Sequence, residues 1–160
     1  MELIHYTNKL LTEVCQEFDF EAAPLDPVEF SKDLVKTMRD LGGIGLAANQ
    51  VGYPYRVFAM RSDPNKVMFN PKLVHSSAEL ISLEEGCLSF PGLYVTVTRP
   101  RHVRVRYTQP NGETITELFT GMSARVVQHE MDHLDGILFY NRANRYHREL
   151  ALKKWRKNNG

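Results

Sequence analysis

The segment His129-Glu130-Met131-Asp132-His133 places two imidazole rings four residues apart, with a carboxylate beside the first ring. Residues i and i+4 lie on the same face of a helix, so both rings can reach a single metal ion. The adjacent carboxylate can then accept a proton from water that the metal activates. We therefore predict a helix from about Met122 to Asp135, ended by Gly136, with a catalytic metal site on one face.

Two histidines do not complete such a site, because a catalytic zinc-like centre uses three protein ligands and keeps one position open. The segment Glu85-Gly86-Cys87-Leu88-Ser89 predicts a tight, glycine-flanked loop between strands. A thiolate at Cys87 would bind borderline divalent metals strongly, although free cysteines are more often inert core residues. Glu149 is the only acid after Asp135 and would complete a metalloprotease site instead, but it lies in a basic segment.

A third segment, Gly43-Ile44-Gly45-Leu46-Ala47-Ala48-Asn49-Gln50, is rich in small residues that let the backbone approach a ligand closely. Gln50 adds an amide donor. A glycine-rich turn that enters a strand explains the segment equally well. The missing Lys-Ser/Thr pair excludes a phosphate-binding loop.

Helix and strand patterns fill the rest of the chain. Asp26 before Pro27 predicts a capped helix start, and Gly42-Gly43 predicts the end of that helix. Pro110-Asn111-Gly112 predicts a hairpin turn. The strand-like runs are Tyr55–Met60, Val67–Phe69, Lys72–Leu83, Leu93–Arg99, His102–Thr108 and Thr114–Thr120. Strands first and helices later favour an α+β fold with antiparallel sheet.

The 160-residue chain has the composition of a soluble globular protein, with 42% hydrophobic and 24% charged residues. Its length predicts one domain over residues 1–160. No apolar run reaches membrane-spanning length and the first residues lack a signal-peptide pattern, so we expect a cytoplasmic protein. Residues 141–160, where we predict a third helix from Arg142 to Lys157, hold seven Lys or Arg and one Glu, a net +6. This charge favours either a polyanionic partner or, more simply, a solvated helix face.

Together, Gly43–Gln50, Glu85–Ser89 and Gln128–Gly136 resemble the three motifs of the peptide deformylase family, in the family's order. The resemblance is to the short, type 1-like form and covers most of the chain. It implies a metal-dependent hydrolase that removes the formyl group from N-formylmethionyl nascent peptides and releases formate. It also implies an α+β fold with antiparallel β-sheets packed around a central metal-binding helix, an N-terminal helix and a C-terminal basic helix.

The same resemblance assigns roles at the site. One divalent metal ion, natively Fe²⁺ and otherwise Zn²⁺, Ni²⁺ or Co²⁺, would be bound by Cys87, His129 and His133. Glu130 would be the general acid and base, while Gln50 and the backbone N–H of Leu88 would stabilise the oxyanion.

Substrate contacts follow from the resemblance as well. The backbone of Ile44, Gly45 and Gly86 would hold the peptide as an added strand. A methionine side chain would enter a pocket formed in part by Ile44, Leu88, Met122, Val126 and His129. Arg125, one turn before His129, would lie at the site entrance and contact substrate.

Asp132 lies inside the metal motif but is not expected to bind the metal. The resemblance implies that it supports the site through an ion pair with Arg99. A simple surface pair explains these two residues equally well.

Two other functions are compatible with the sequence. One is a metalloprotease that uses the two histidines and Glu149. The other is a non-enzymatic RNA-binding module with the basic tail as its active part, although no recognised nucleic-acid motif supports it. In the deformylase interpretation, Arg142–Lys157 would dock the enzyme on the ribosome.

Overall fold

The computed structural model describes residues 1–159. Within this part of the chain lie three α-helices and seven β-strands. The helices are α1 (Pro27–Asp40), α2 (Gly121–Leu134) and α3 (Arg145–Asn159). The strands are β1 (Gly45–Ala47), β2 (Val57–Met60), β3 (Lys66–Ser76), β4 (Leu80–Cys87), β5 (Phe90–Pro100), β6 (His102–Thr108) and β7 (Thr114–Thr120). Short 3₁₀ turns cover Lys9–Thr12, Ala48–Val51 and Phe139–Arg142. No helix among residues 1–159 has both the length and the apolar composition of a bilayer span.

The strands form two antiparallel sheets. The larger has five strands in the order β1-β2-β3-β6-β7, and the smaller is the β4–β5 hairpin. The predicted α+β class with antiparallel sheet is therefore confirmed. Neighbouring strands of the larger sheet follow one another in the chain except β3 and β6, between which the β4–β5 hairpin is inserted.

The chain changes sheets between β3 and β4. Ser77 donates its backbone N–H to the His102 carbonyl at 2.9 Å, and Arg101 donates to the Glu79 carbonyl at 3.0 Å. β3 before this turn pairs with β6, whereas β4 after it pairs with β5. The single strand predicted over Lys72–Leu83 is therefore wrong, since strand-forming residues continue through a change of pairing partner.

The β4–β5 hairpin carries the cysteine segment at its tip. Cys87 pairs with Phe90, so Leu88 and Ser89 form a two-residue turn. The loop predicted over Glu85–Ser89 is thus a strand as far as Cys87. A register shift between Glu85 and Cys87 interrupts the ladder, and such irregularities re-aim side chains next to functional sites.

Helix α1 begins as its sequence predicts. The Asp26 carboxylate accepts the backbone N–H groups of Val28 and Glu29 at 2.9 and 3.2 Å, and Pro27 occupies the first turn. The buried side of the helix packs on β1, β2 and β3 in a cluster that includes Phe30, Leu34, Met38, Leu46, Val57, Ala59 and Phe69. A helix as short as α1 is only marginally stable by itself, so the burial of these apolar side chains supplies most of its stability.

Helix α2 lies between the two sheets. Its apolar face joins a core with the five-stranded sheet that includes Phe58, Met68, Val103, Val105, Ala124, Val127 and Leu134. The opposite face, with Arg125 and His129, turns toward the β4–β5 hairpin. The helix is consequently buried on two sides, which brings its imidazoles next to the hairpin tip.

Helix α3 starts three residues later than predicted. Arg142 belongs to a 3₁₀ turn, and the side chain of Asn144 accepts the backbone N–H of His147 at the true start. Trp155 is the buried anchor of α3 and donates its indole N–H to the Pro91 carbonyl at 2.8 Å. The basic side chains of the helix remain exposed, namely Arg145, Lys153, Lys154, Arg156 and Lys157.

Candidate metal centre

One thiol and two imidazoles converge where the hairpin tip meets α2. The ligand atoms of Cys87, His129 and His133 all lie within 4.8 Å of one another. The Cys87 Sγ is 3.3 Å from Nε2 of His133. Cys87 is a free thiol, as is Cys15, which is buried in the core away from this cluster. The structure thus places the three sequence-predicted ligands around one point.

The surroundings of the two imidazoles fit metal binding. Nδ1 of His129 lies 2.9 Å from a Glu85 carboxylate oxygen, which leaves Nε2 directed to the cluster. The backbone carbonyl of His133 accepts a bond from the Asn49 amide at 2.7 Å. A carboxylate behind a ligating imidazole fixes its tautomer and increases its basicity. One thiolate and two imidazoles suit borderline divalent metals and leave a coordination position open.

Burial and charge shift the ionisation of these groups. Burial alone would raise the pKa of Glu85, but hydrogen bonds from His129 and Arg99 lower it to about 2. Burial would lower the pKa of His129, yet hydrogen bonds to Cys87 and Glu85 raise it to about 10. For His133, burial and the positive charges of His129 and Arg99 push the pKa well below its ordinary value. His133 is therefore neutral, as a metal ligand must be, whereas His129 would have to release its proton to a bound metal ion.

Glu130 points a carboxylate into the same region. Its Oε1 is buried and has no hydrogen-bond partner among the described residues. Gly45 permits this position, since a Cβ on Gly45 would lie 2.5 Å from Glu130 Oε2. Burial raises the pKa of Glu130 to about 7, against the opposing charge of His129. A carboxyl group with such a pKa can both accept and donate a proton near neutral pH.

Gln50 is held rigidly beside the thiol. Its side-chain carbonyl accepts the backbone N–H of Ala47 at 2.9 Å. Its amide donates to Ser89 Oγ at 2.9 Å and lies 3.5 Å from Cys87 Sγ. Sequence reasoning missed the role of Ser89, whose hydroxyl in the hairpin turn orients the Gln50 amide. Nothing in the segment distinguishes this serine from an ordinary turn residue.

Arg99 and Asp132 form a buried ion pair rather than a surface pair. Arg99 Nη1 donates to Asp132 at 2.8 Å, and the two side chains are 5% and 9% exposed. The same guanidinium donates to Glu85 at 2.6 Å through Nε. Arg142, in the 3₁₀ turn that follows α2, also donates to Asp132 at 2.9 Å. Guanidinium groups therefore hold both carboxylate oxygens of Asp132, and Asp132 is not among the residues whose ligand atoms cluster.

Arg125 does not lie at the entrance to the site. It is buried, and its guanidinium donates to Glu85 and to the carbonyls of Val97 and Ile81. The predicted place at the entrance is wrong, because the α2 face that carries Arg125 is covered by the hairpin, whereas its contact with substrate stays a prediction. Its side chain still contributes to the wall of the neighbouring cleft.

A cleft of about 490 Å³ opens over the cluster. Ile44 and Met122 at its rim are 55% and 59% exposed. Tyr94 also lines the rim and was not anticipated from the sequence. The other sequence-predicted residues that line the cleft are Gly45, Gln50, Gly86, Cys87, Leu88, Val126, His129 and Glu130.

Glu149 is not part of this site. It is exposed on α3 and forms an ion pair with Arg145 at 3.0 Å. The third donor near the two imidazoles is the Cys87 thiol instead. The structure therefore gives no support to a metalloprotease site completed by Glu149.

Comparison with protein families and curated sequences identifies clear relatives. A family model described as "Polypeptide deformylase" matches residues 1–149. A peptide deformylase of Treponema pallidum is 44% identical over 127 residues, which are 79% of this chain and 78% of the relative. A peptide deformylase of Rhodopseudomonas palustris is 38% identical over an alignment of 165 positions, gaps included, which covers 98% of this chain and 93% of the relative.

Solved structures give the same result. The peptide deformylase of Thermus thermophilus superposes with a TM-score of 0.91 at 34% identity, over 97% of this chain and 92% of that one. The enzyme of Synechococcus elongatus, solved in complex with actinonin, gives a TM-score of 0.85 at 35% identity, over 96% and 84% of the two chains. The likeness extends from the sequence motifs to the whole fold.

Proposed function

The chain belongs to the peptide deformylase family, and from this premise we propose how its own residues perform the family's reaction. The protein is a hydrolase that removes the N-formyl group from nascent peptides. The observation that supports our assignment of roles is the convergence of Cys87, His129 and His133 beneath a cleft that also holds Glu130.

In our proposal the peptide is held along the edge of the larger sheet. β1 is an edge strand, and Ile44 and Gly45 line the cleft opposite Gly86 of the hairpin. Peptides that add to an exposed edge gain main-chain hydrogen bonds. The methionine side chain then enters the apolar pocket, whose walls are Ile44, Leu88, Met122, Val126 and His129.

We assign the bound divalent ion to Cys87, His129 and His133. When bound, such an ion supplies Lewis acidity and activates water for attack on the formyl carbon. Glu130 accepts a proton from the attacking water and delivers it to the departing nitrogen, which its buried, unpartnered oxygen suits. The Gln50 amide and the Leu88 backbone N–H donate to the developing oxyanion.

Formate release from formyl-Met peptides tests these roles. Glu130→Gln should reduce kcat by about 10²–10⁴, because it removes the proton-transfer group but leaves the donor set intact. Cys87→Ser should lose both activity and tightly bound metal, whereas the matched change Cys15→Ala should lose neither. Full activity in Glu130→Gln or Cys87→Ser contradicts the assignment.

We propose Fe²⁺ as the native ion, with Zn²⁺, Ni²⁺ and Co²⁺ as substitutes. A thiolate with two imidazoles accepts all four. Metal analysis of anaerobically purified protein should find about one iron per chain. One zinc and no iron under those conditions would contradict the choice of iron.

We further propose a cytoplasmic enzyme, a single catalytic domain over residues 1–160, that docks on the ribosome through α3. Trp155 anchors one side of α3, so the basic side chains on the other side face outward. Each phosphate contact adds to the salt dependence of binding to RNA.

Lys153→Glu with Lys157→Glu should weaken co-sedimentation with ribosomes at low salt. Lys32→Glu with Lys36→Glu on α1 is the matched control, and equal loss in both variants contradicts docking through α3.

A further inference from the structure

The three proposed metal ligands come from two separately built parts of the molecule. Cys87 ends β4 in the hairpin, whereas His129 and His133 lie on α2, which packs on the five-stranded sheet. The hairpin joins the larger sheet covalently near Leu80 and Pro100, which are paired at its base. Cys87 lies at the opposite end, so side chains must set its distance from the imidazoles.

Arg125 makes such a connection from α2 to both strands of the hairpin. Its Nη1 donates to Glu85 Oε2 and to the Val97 carbonyl, each at 2.7 Å. Its Nη2 donates to the Ile81 carbonyl at 2.6 Å. Ile81 and Glu85 belong to β4 and Val97 to β5, so one helix side chain fixes the backbone of both strands.

Other contacts between α2 and the hairpin act differently. Gln128 donates to the Pro100 carbonyl at the covalently joined base of the hairpin. Arg99 belongs to the hairpin itself and bonds two carboxylates, Glu85 and Asp132. Arg125 is distinct because it starts on the ligand helix and bonds strand carbonyls as well as Glu85.

The burial of Arg125 makes these bonds important. Its side chain is 5% exposed, as is that of Glu85. A buried charge is tolerated when hydrogen bonds compensate its lost hydration, and removal of one partner leaves the others uncompensated. Without the Arg125 guanidinium, the Val97 and Ile81 carbonyls would lose this donor and Glu85 Oε2 would keep only Arg99, so the hairpin could shift relative to α2.

We propose that Arg125 is a positioning residue, which holds β4 against α2 so that Cys87 stays within ligand distance of His129 and His133. The proposal rests on the metal site assigned above. It also replaces the expected substrate contact of Arg125 with a role exerted through Glu85 and the hairpin backbone.

Cobalt-substituted protein tests the proposal, because a thiolate bound to Co²⁺ gives a charge-transfer absorption that reports the Cys87 bond. Arg125→Met keeps the length of the side chain but removes every donor. Its thiolate–cobalt absorption should disappear at least about tenfold faster in excess EDTA than in the wild type.

Arg125→Lys keeps the charge but not the fork geometry, and its rate of cobalt loss should lie between those of the wild type and Arg125→Met. In both variants kcat per bound cobalt should fall while KM stays within about twofold, since the aliphatic stem remains.

The controls separate positioning from general stability and from the metal site itself. Tyr107→Phe removes a buried hydrogen bond to Glu117 elsewhere in the core and should lower the unfolding temperature without faster cobalt loss. Wild-type rates of cobalt loss in Arg125→Lys, and in Arg125→Met if it folds, would overturn the proposal. A wild-type protein without the thiolate band, or a band that survives Cys87→Ser, would overturn the assigned metal site instead.

Discussion

Glu85 and its neighbour Glu84 show how one strand gives identical residues opposite environments. Successive side chains of a strand point to opposite sides, so Glu84 is exposed while Glu85 is buried. Glu85 there accepts bonds from His129, Arg99 and Arg125. The Glu85 carboxylate therefore connects His129, one of the proposed metal ligands, with the buried guanidinium groups of Arg99 and Arg125.

Glu85 should make stability depend on pH. Its pKa is about 2 in the folded protein against an ordinary value of 4.5. A folded-state pKa that is lowered stabilises the protein fully above pH 4.5, and this contribution is lost as the pH falls through 2. We expect about 3 kcal/mol of the free energy of unfolding to disappear in that window.

Urea unfolding of the metal-free protein between pH 6 and 2 measures this loss. Glu85→Gln should be less stable at pH 6, because Arg99 and Arg125 lose a charged partner, and its stability should vary less with pH. Glu84→Gln is the matched control and should follow the wild-type pH dependence. Identical pH dependence in Glu85→Gln and the wild type would contradict the role of this carboxylate.

Gly45 should be intolerant of a methyl group. A Cβ there would meet the carboxylate of Glu130 at 2.5 Å, so Gly45→Ala must displace the proton-transfer group. A displacement of about 1 Å costs on the order of 10² in rate, so kcat should fall about a hundredfold with metal content unchanged. In Gly43→Ala the new Cβ meets the flexible end of Leu88, and KM should change more than kcat. An unchanged kcat in Gly45→Ala would contradict the close approach.

At the scale of elements, α1 and the β4–β5 hairpin form for different reasons. The start of α1 is determined locally, since Asp26 accepts the first free backbone N–H groups of the helix. The hairpin depends on distant residues, because its two strands pair mainly with each other and are held to α2 by Arg125 and Glu85.

Asp26→Ala should therefore destabilise the protein by about 1 kcal/mol without affecting catalysis, since it removes only the helix cap. The midpoint of urea unfolding measures the change. Asp33→Ala, an exposed position within the same helix, should shift the midpoint by less than half as much. Equal shifts in the two variants would show that the cap contributes nothing.

At the scale of the molecule, the proposed metal site joins two parts of the protein, the β4–β5 hairpin and helix α2. Cys87 and His133 are 46 residues apart, and their side chains meet only when the hairpin docks on α2. A ligand that binds the native state alone adds to its stability by mass action. The bound ion should consequently stabilise the docked arrangement, beyond its part in catalysis.

Metal removal should thus lower the unfolding temperature. At a free metal concentration one hundred times Kd, the expected gain is about 2.7 kcal/mol over the metal-free protein. Calorimetry with and without Co²⁺ measures the shift. Cys15→Ala should keep the full shift and Cys87→Ser should lose most of it. A shift that is the same in both variants would place the ion elsewhere.

The sequence by itself determined the local features. The i and i+4 spacing of His129 and His133 specifies one helix face, Asp26-Pro27 specifies a helix start, and Pro110-Asn111-Gly112 specifies the turn between β6 and β7. Each is encoded within a few residues, because helical periodicity, caps and turns depend on the neighbouring backbone. The three motifs together also indicated the family and the reaction that its members catalyse.

Only the tertiary structure decided which residues distant in sequence come into contact in the interior. It turned Glu85 inward, brought Ser89 to Gln50, ended β3 at Ser76 and buried Arg125 beneath the hairpin. These outcomes depend on which strand pairs with which and on what covers each helix face. Residues far apart in sequence set both, so local patterns do not contain them.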